Sequence, residues 1–405
     1  MKKNLTKILV FILAFSVALF AFGCNKNSGK DPEAVTGKFE YKLNEDGDAY
    51  IITGYQVSSD DAKKINDGKL SEIDKKYREI TIPENGEALG AEHKNYPVKE
   101  IEAGAFGGNK LIEKVEIKNN IEKIGKGAFG GCVNLKEMTV SFIGASYDAK
   151  NEYKHFGYIF GDGYTDGGNI SITAKAQMVN DNGAALVTGS DVTYYLPSSL
   201  KKVTYTGGSF EKKSGEETQT VTVKDVASCA FYGVTTLTEI ILPESVGKIG
   251  QYAFYGCSSL AAIDIKNVTE VPAYAFSGCS SLKSVTMNSV TVIGAHAFEK
   301  CAFGKNLAGV KPLNLPAALA KIGEYAFSEC ASLEEVNFGG SISVIPSYAF
   351  NGCAALKTVK LKNDADIKNS AFKGCTELKK EGNRKVFVNA VEKTLTPEQF
   401  GAVEF

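Results

Sequence analysis

Cysteine is the residue whose spacing in this sequence could most directly support chemistry. Seven of the nine cysteines stand three residues after a phenylalanine: Cys132, Cys257, Cys279, Cys301, Cys330, Cys353 and Cys375. In an oxidising compartment such a set could form disulfides, and as thiolates it could hold zinc. The regular spacing means that both uses have to be tested against the geometry of a repeat.

That geometry argues against both uses. Equivalent residues of stacked repeats lie about 4.8 Å apart and point the same way, an orientation that does not give a disulfide its dihedral angle. A straight row cannot surround zinc tetrahedrally, and the sequence has no C-x-x-C pair. Cysteine is small, apolar and usually buried. We therefore predict that these thiols are packing residues and that the protein holds no metal.

Residues for general acid or base catalysis are also sparse. The three histidines are His93, His155 and His296, and the last takes a place where other repeats carry tyrosine, which indicates a surface position. The sequence lacks the nucleophile elbow, the zinc-protease helix, the P-loop and the dinucleotide fingerprint. Asp162 and Asp166 do not fit a calcium loop and are typical of turns. We predict a protein without catalytic residues or cofactor.

The first 24 residues differ in character from the rest. Three lysines precede the apolar run 8–22, which is short for a membrane span and fits a secretory signal. The run ends in Ala-Phe-Gly-Cys, which resembles a lipobox with Cys24 as the lipidated residue; a plain signal peptide is the alternative. Residues 25–37 are mostly polar, which predicts a flexible tether. We expect an exported protein, attached to a membrane only through this lipid.

Ala-Phe pairs recur along the chain and define its repeat. Their phenylalanines are Phe106, Phe129, Phe231, Phe254, Phe276, Phe298, Phe327, Phe350 and Phe372, and most are 22 or 23 residues apart. Each clear copy continues with an L-x-x-I-x-I pattern, as at Leu260, Ile263 and Ile265. This period and pattern predict a leucine-rich-repeat solenoid, with short parallel β-strands on one face and short helical turns on the other.

The combination of Ala-Phe-x-x-Cys, Leu-x-x-Val-x-Ile and Val-x-x-Ile-Gly resembles the BspA-like leucine-rich-repeat family of bacterial surface proteins. The resemblance covers roughly 98–378, and 38–101 resembles the family's N-terminal capping unit. It implies a solenoid over 102–378 that is exposed at the cell surface and used for adhesion, without enzymatic residues. Residues 379–405 are expected to cover the last open coil, since terminal repeats need a cap.

Three segments interrupt the period: an insertion at about 144–192 and smaller loops at 209–222 and 302–312. The insertion is rich in aromatic residues, which could contact a ligand or seal the edge of the coil that the insertion opens. The candidates for ligand contact are Tyr153, Phe156, Tyr158, Phe160 and Tyr164. Because Leu200, Val203 and Tyr205 keep the repeat spacing, one coil is expected to persist beyond the insertion. Deletion of 144–192 is then expected to leave the solenoid folded.

The middle residue of each strand is expected to face solvent and to form a second candidate surface. The column contains Glu116, Thr139, Ile241, Asp264, Thr286, Asn314, Asn337 and Lys360. It lacks the tyrosine, tryptophan and arginine of protein hot spots, so a simply solvated face is the alternative. A formal net charge of −1 gives no reason to expect nucleic acid.

We therefore expect a monomer that binds an extracellular protein of a host or neighbouring cell. A structural role in the cell envelope is the alternative, and a glycan-binding or enzymatic module in the insertion is a remote one.

Overall fold

The computed structural model describes seven stretches of the chain: 38–86, 95–163, 168–174, 192–214, 217–304, 312–379 and 385–400. The predicted lipidation site Cys24, the tether at 25–37 and the predicted contact residue Tyr164 lie outside these stretches, as do His93 and Asp166. No helix within the described stretches has both the length and the apolar character needed to cross a bilayer.

One side of the molecule is a row of short strands, one from each coil, which we call the strand face. In the described stretches it comprises a seven-stranded and a five-stranded sheet. The first contains Glu79–Thr81, Lys114–Glu116, Glu137–Val140, Lys202–Tyr205, Glu239–Ile241, Ala262–Asp264 and Ser284–Thr286. The second contains Leu313–Leu315, Glu335–Phe338, Thr358–Leu361, Lys385–Val388 and Val391–Lys393. Strands of successive coils pair in parallel, which confirms the predicted solenoid.

Alternation along each strand fixes which side chains enter the core. Val115, Met138, Val203 and Ile240 lie opposite one another in successive coils and are buried. The residue after each of them faces outward. The strand Lys202–Tyr205 pairs with Glu137–Val140 on one side and Glu239–Ile241 on the other, so the coil expected beyond the insertion is present.

A second row of shorter parallel strands runs along the solenoid, and we call it the short-strand face. Its described members are Val98–Ile101, Lys123–Ile124, Glu270–Val271, Val292–Ile293, Lys321–Ile322, Val344–Ile345 and Asp366–Ile367. A single parallel bridge between Val226 and Ile249 continues the row in two further coils. The inward residues of this row, such as Val271 and Ile293, are buried.

The Ala-Phe turns form the third side, the turn face. Within it the phenylalanine rings of consecutive turns stack with centroids 4.8–5.6 Å apart and planes within 13° of parallel. Backbone hydrogen bonds join the same turns: the Phe231 N–H donates to the Ala253 carbonyl and the Phe254 N–H to the Ala275 carbonyl, at 2.7 and 2.9 Å. The turn sequence therefore recurs because every coil must fill the same cross-section.

A second aromatic column lies outside the phenylalanines on the turn face. Tyr252, Tyr274, His296, Tyr325 and Tyr348 stack with centroids 4.5–4.8 Å apart. All five have a positive φ between 55° and 61°, a conformation that costs a residue with a side chain about 1–2 kcal/mol. His296, predicted to be a surface residue, stacks in this outer column between Tyr274 and Tyr325 with its side chain 23% exposed.

Both ends of the solenoid are covered. At the N-terminal end Lys38–Leu43 and Tyr50–Gln56 form a hairpin. The Phe39 ring packs edge-on against the Phe106 ring, with the ring centroids 6.3 Å apart. At the C-terminal end the antiparallel pair Lys385–Val388 and Val391–Lys393 extends the strand face. The described helices are Ser59–Asn66, Lys75–Arg78 and Thr376–Lys379, with 3₁₀ turns at Leu70–Glu72, Asn151–Lys154, Phe156–Phe160 and Pro397–Phe400.

Part of the insertion packs within the solenoid and hydrogen-bonds to the coils on both sides. The 3₁₀ helix Phe156–Phe160 takes the place of an Ala-Phe turn: the Phe129 N–H donates to the Ile159 carbonyl at 2.9 Å, and the Phe156 N–H donates to the Ala230 carbonyl at 2.8 Å. Two antiparallel hairpins accompany it, Asn169–Ala174 with Val192–Pro197 and Gly208–Ser214 with Glu217–Val223.

Candidate functional site

Each of the eight cysteines that the structure describes has a free thiol and is buried. In the seven regularly spaced ones, Sγ donates a hydrogen bond to the carbonyl of the phenylalanine one coil earlier, at 3.1–3.3 Å; Cys279 to Phe254 is one example. Burial raises the pKa of Cys132 and Cys330 to about 12. The thiols are therefore packing groups, as the sequence predicted. The hydrogen bond was not foreseen.

His155, the histidine of the insertion, has a structural role. It is 1% exposed, and its Nδ1 accepts a hydrogen bond from the Gly157 N–H at 2.8 Å. The ring proton is therefore on Nε2, which lies 2.9 Å from the Tyr232 carbonyl oxygen and donates to it. Burial lowers the pKa of His155 from 6.5 to about 4. The neutral ring thus caps the 3₁₀ helix Phe156–Phe160 and ties it to the next coil.

The aromatic residues of the insertion divide into two groups. Phe156 and Phe160 are 0% exposed, and the Phe156 ring lies 5.3 Å from that of Phe231. A ligand at the surface cannot touch them, so their assignment as contact residues is corrected: the two rings pack on each other and extend the phenylalanine column from Phe231 into the insertion. Tyr153 is 47% exposed, and Tyr158 is half-buried against it with the ring centroids 5.5 Å apart.

Within each of the two sheets of the strand face, the outward residues line up in the middle column that the sequence indicated. Glu116 lies opposite Thr139, Asp264 opposite Thr286, and Asn314, Asn337 and Lys360 follow one another. Ile241 is 39% exposed in the same column. The pairing adds three members that the sequence reading missed, Thr81, Thr204 and Phe387. Thr204 was predictable, because it stands between Val203 and Tyr205, which keep the repeat spacing. Phe387 was not, because it belongs to the C-terminal cap, whose sequence lacks the repeat pattern.

The N-terminal half of the strand face neutralises its own charge. Beside the middle column, Glu79, Lys114, Glu137, Lys202 and Glu239 alternate in sign from strand to strand. Lys114 Nζ lies 3.6 Å from Glu137 Oε2, and Lys202 Nζ lies 3.2 Å from Glu239 Oε1. Exposed pairs of this kind contribute little free energy but leave few charges for a partner.

The C-terminal half of the strand face contains a pocket of about 700 Å³. Its walls combine amide groups, lysines and an aromatic ring: Asn314, Asn337, Lys360, Lys362, Phe387 and Asn389. Three of these are residues of the predicted column. The volume is in the range of pockets that enclose a ligand group.

The polar groups of this pocket are only partly satisfied. Asn337 Nδ2 donates to Asn314 Oδ1 at 3.0 Å, and the buried Asn337 Oδ1 has no hydrogen-bond partner among the described residues. Lys360 donates to Glu335 at 2.6 Å. Lys362 is exposed and pairs with no carboxylate in the described part of the chain. The pocket therefore presents amide and ammonium donors beside an apolar wall, a combination suited to a carboxylate joined to an apolar group.

In the described part of the chain, no group of three or more histidine, cysteine, aspartate or glutamate residues is placed to hold a metal ion. The pocket has no histidine or cysteine in its walls. Its walls offer hydrogen-bonding groups and apolar contact area.

Comparison with solved structures returns other leucine-rich-repeat proteins. One from Bacteroides ovatus is 17% identical, with 85% of this chain and 81% of that chain covered and a TM-score of 0.38. A leucine-rich cell surface protein from Faecalibacterium prausnitzii is 22% identical, with 92% and 98% covered and a TM-score of 0.32. With TM-scores this low, the fold assignment rests on the sheets described above. No curated protein sequence matches the chain.

The repeat itself gives the clearest match. The profile of the BspA type leucine-rich-repeat region matches in six copies, over residues 99–146, 208–308 and 302–381. These residues make up more than half of the chain and include the Ala-Phe turns and the seven regularly spaced thiols. The chain accordingly belongs to the BspA-type leucine-rich-repeat family.

Proposed function

We propose that this chain is a non-catalytic surface protein that attaches to an extracellular protein of a host or neighbouring cell through its strand face. The pocket around Asn337 is the observation that carries this proposal. Hot spots in protein interfaces are recesses in which an inserted side chain is desolvated and fully packed. The pocket offers such a recess on a face whose N-terminal half consists mainly of polar and paired charged side chains.

Each wall of the pocket has a part in this binding. Phe387 supplies apolar contact area, and Lys362 and Asn389 supply donors for a carboxylate or carbonyl of the partner. The buried Asn337 Oδ1 lacks a donor, which a hydroxyl, amide or ammonium group of the partner would supply. The partner contributes one protruding side chain or a short loop.

The rest of the predicted column lies on the coils that precede this anchor. Glu116, Thr139, Ile241, Asp264 and Thr286 lie outside the pocket and contribute little to the free energy of binding. Tyr153 and Tyr158 remain candidates for a peripheral contact at the insertion. Phe156 and Phe160 are no longer candidates, because they are buried.

Export and anchoring complete the proposal. The lysines and apolar run of residues 1–24 direct the chain across the membrane, and Cys24 carries the lipid that holds it there. Cells grown with an alkyne-labelled palmitate should incorporate the label into the protein, and Cys24→Ser should abolish it. Equal labelling of the variant would contradict lipidation at this residue, whereas a cleaved, unlabelled wild-type chain would indicate a plain signal peptide.

The binding proposal is tested by capturing surface proteins of host and neighbouring cells on residues 35–405. Asn337→Arg fills the pocket, and Thr286→Arg adds the same side chain to the same column outside it. We expect a saturable partner that binds the wild type and Thr286→Arg but is lost with Asn337→Arg. Capture that both variants retain would exclude the pocket. No partner for any of the three, with all of them folded by circular dichroism, would favour a structural component of the cell envelope.

A further inference from the structure

The short-strand face has a break at the insertion. On one side of the break Ser146 forms a bridge with Lys123, and on the other Val226 forms a bridge with Ile249. No strand pairing joins Ser146 to Val226, although both belong to described stretches and lie in consecutive coils. The described short-strand face is also unpaired between Lys321–Ile322 and Val344–Ile345, so this break is distinguished by the cleft that occupies it.

A cleft of about 450 Å³ occupies this break. Phe142, Ser146 and Tyr147 line one wall, and the segment 221–228 lines the other. The Tyr205 side chain lies between them, and its hydroxyl donates to the Asp225 carbonyl at 3.3 Å. The cleft therefore combines an aromatic lining with backbone on its wall.

The walls are braced, so the cleft exists before any ligand arrives. The Tyr147 ring stacks on Phe210 of the hairpin Gly208–Ser214/Glu217–Val223, with centroids 4.5 Å apart and planes within 3° of parallel. Asp148 accepts a hydrogen bond from Lys212 of the same hairpin at 2.6 Å. These contacts hold the hairpin, whose last residues form part of the far wall, against the segment that follows Phe142.

The backbone along one wall has unused donors. The Val226 N–H donates to the Lys248 carbonyl, and the Val226 carbonyl accepts from the Gly250 N–H, so both of its groups point away from the cleft. Successive residues of a strand direct their backbone groups to opposite neighbours. Asp225 and Ala227 therefore face the cleft, and neither N–H has a hydrogen-bond partner among the described residues.

The charge around this wall is positive. Lys224 and Lys248 line the cleft, are exposed, and form no ion pair with a described residue. Asp225 is the carboxylate in the lining. An approaching segment with acidic side chains would gain electrostatic attraction at this rim, and an acidic side chain placed there would have lysine partners.

We propose that this cleft binds an extended, acidic segment of a partner protein, which adds to the short-strand face as a strand. The main chain of the segment accepts hydrogen bonds from the N–H groups of Asp225 and Ala227. Its acidic side chains meet Lys224 and Lys248, and its apolar side chains pack on the partly exposed Tyr147. Strand addition of this kind takes affinity from backbone hydrogen bonds and specificity from alternate side chains. The site is separate from the strand-face pocket and does not depend on it.

A selection from a phage-displayed library of random twelve-residue peptides tests the proposal on residues 35–405. The enriched peptides should alternate acidic and apolar residues. Lys224→Glu/Lys248→Glu should weaken their binding at least tenfold. Lys321→Glu, which changes the lysine equivalent to Lys248 in another coil, should leave it unchanged, as should Asn337→Arg. An absence of enriched peptides, or equal binding to the double variant, would overturn the proposal.

Hydrogen exchange of the wild-type protein gives a readout that does not depend on how the variants fold. With an enriched peptide bound, the amides of Asp225 and Ala227 should exchange at least tenfold more slowly, while those of the strand face should not change. Peptide binding without protection of these two amides would show that no strand is added and would overturn the proposal as stated.

Discussion

The turn face and the strand face are built from the same coils but obey different rules. On the turn face the same side chains recur in coil after coil, and they stack or hydrogen-bond with their own copies, as Phe254 and Cys279 do. On the strand face the outward residue changes from coil to coil, from Thr139 through Asp264 to Lys360. Repetition thus marks the residues that hold the coils together, and variation marks those available to a partner.

The insertion sharpens this contrast. It lacks an Ala-Phe pair, yet it places Phe156 in the phenylalanine column and supplies the backbone groups that the neighbouring turns require. Each coil therefore needs a buried side chain of sufficient volume and backbone hydrogen-bonding groups at its turn. More than one sequence can supply them. For this reason the predictions that concern the turn face are about stability, and those that concern the strand face are about binding.

The largest effect is expected at Phe156. Its replacement by alanine should lower the free energy of unfolding by about 3–5 kcal/mol, because the residue is fully buried in the column. Tyr153→Ala, in the same insertion but exposed, should change it by no more than about 0.5 kcal/mol. Urea denaturation followed by circular dichroism measures both. Deletion of 144–192 should unfold the adjoining coils, contrary to the expectation from sequence, since it removes Phe156 as well.

Acid should weaken the same region through His155. Its pKa is about 4 in the folded protein and 6.5 in the unfolded chain, so the unfolded chain takes up the proton first. The stabilisation is complete above pH 6.5 and decreases as the pH falls towards 4, by about 3 kcal/mol in all. Urea midpoints at pH 7.5 and 4.5 measure it. His155→Gln should lose less stability on acidification than the wild type, and an equal loss in both would contradict this origin.

The thiols of the cysteine row should not react with thiol reagents while the protein is folded. Because burial raises the thiol pKa values, none of the eight described thiols should react with Ellman's reagent at pH 8 until the protein is unfolded. Cys279→Ala should cost about 1–2 kcal/mol, through a small cavity and the loss of the hydrogen bond to Phe254. Rapid reaction of the native protein would show that these residues are accessible and not part of the packing.

The tyrosine column provides a finer test, because strain and stacking oppose each other there. Tyr274→Ala removes two ring contacts and retains the positive φ of 59°, whereas Tyr274→Gly removes the contacts and relieves the strain. The glycine variant should be more stable than the alanine variant by about 1 kcal/mol. Equal melting curves for the two would show that the backbone relaxes at this position.

The smallest effects on stability are expected on the strand face. Asn337→Arg and Thr286→Arg should each change the free energy of unfolding by no more than about 0.5 kcal/mol, because both positions face outward. Thermal melting measures this. A large loss at either position would mean that the strand face, too, is under packing constraint, and the contrast between the two faces would not hold.

The sequence was sufficient for the parts of the molecule that repeat. Period and alternation predicted the solenoid, the buried thiols and most members of the middle column. They could not predict that Phe156 enters the phenylalanine column, because the segment YKHFGYIF contains no repeat signal and its place depends on contacts with a coil some 75 residues later. They also could not place Phe387 beside Lys360, since that requires the pairing of the cap with the last coil.

The central claim, that the strand face binds and the turn face packs, is tested most directly by photo-crosslinking. A p-benzoylphenylalanine at Lys360, on the strand face, is compared with the same residue at Lys373, which is exposed on the turn face of the same C-terminal region. Mixed with the captured partner and irradiated, the protein should crosslink from Lys360 and not from Lys373. Crosslinking from Lys373 alone would contradict the account and move the binding surface to the turn face.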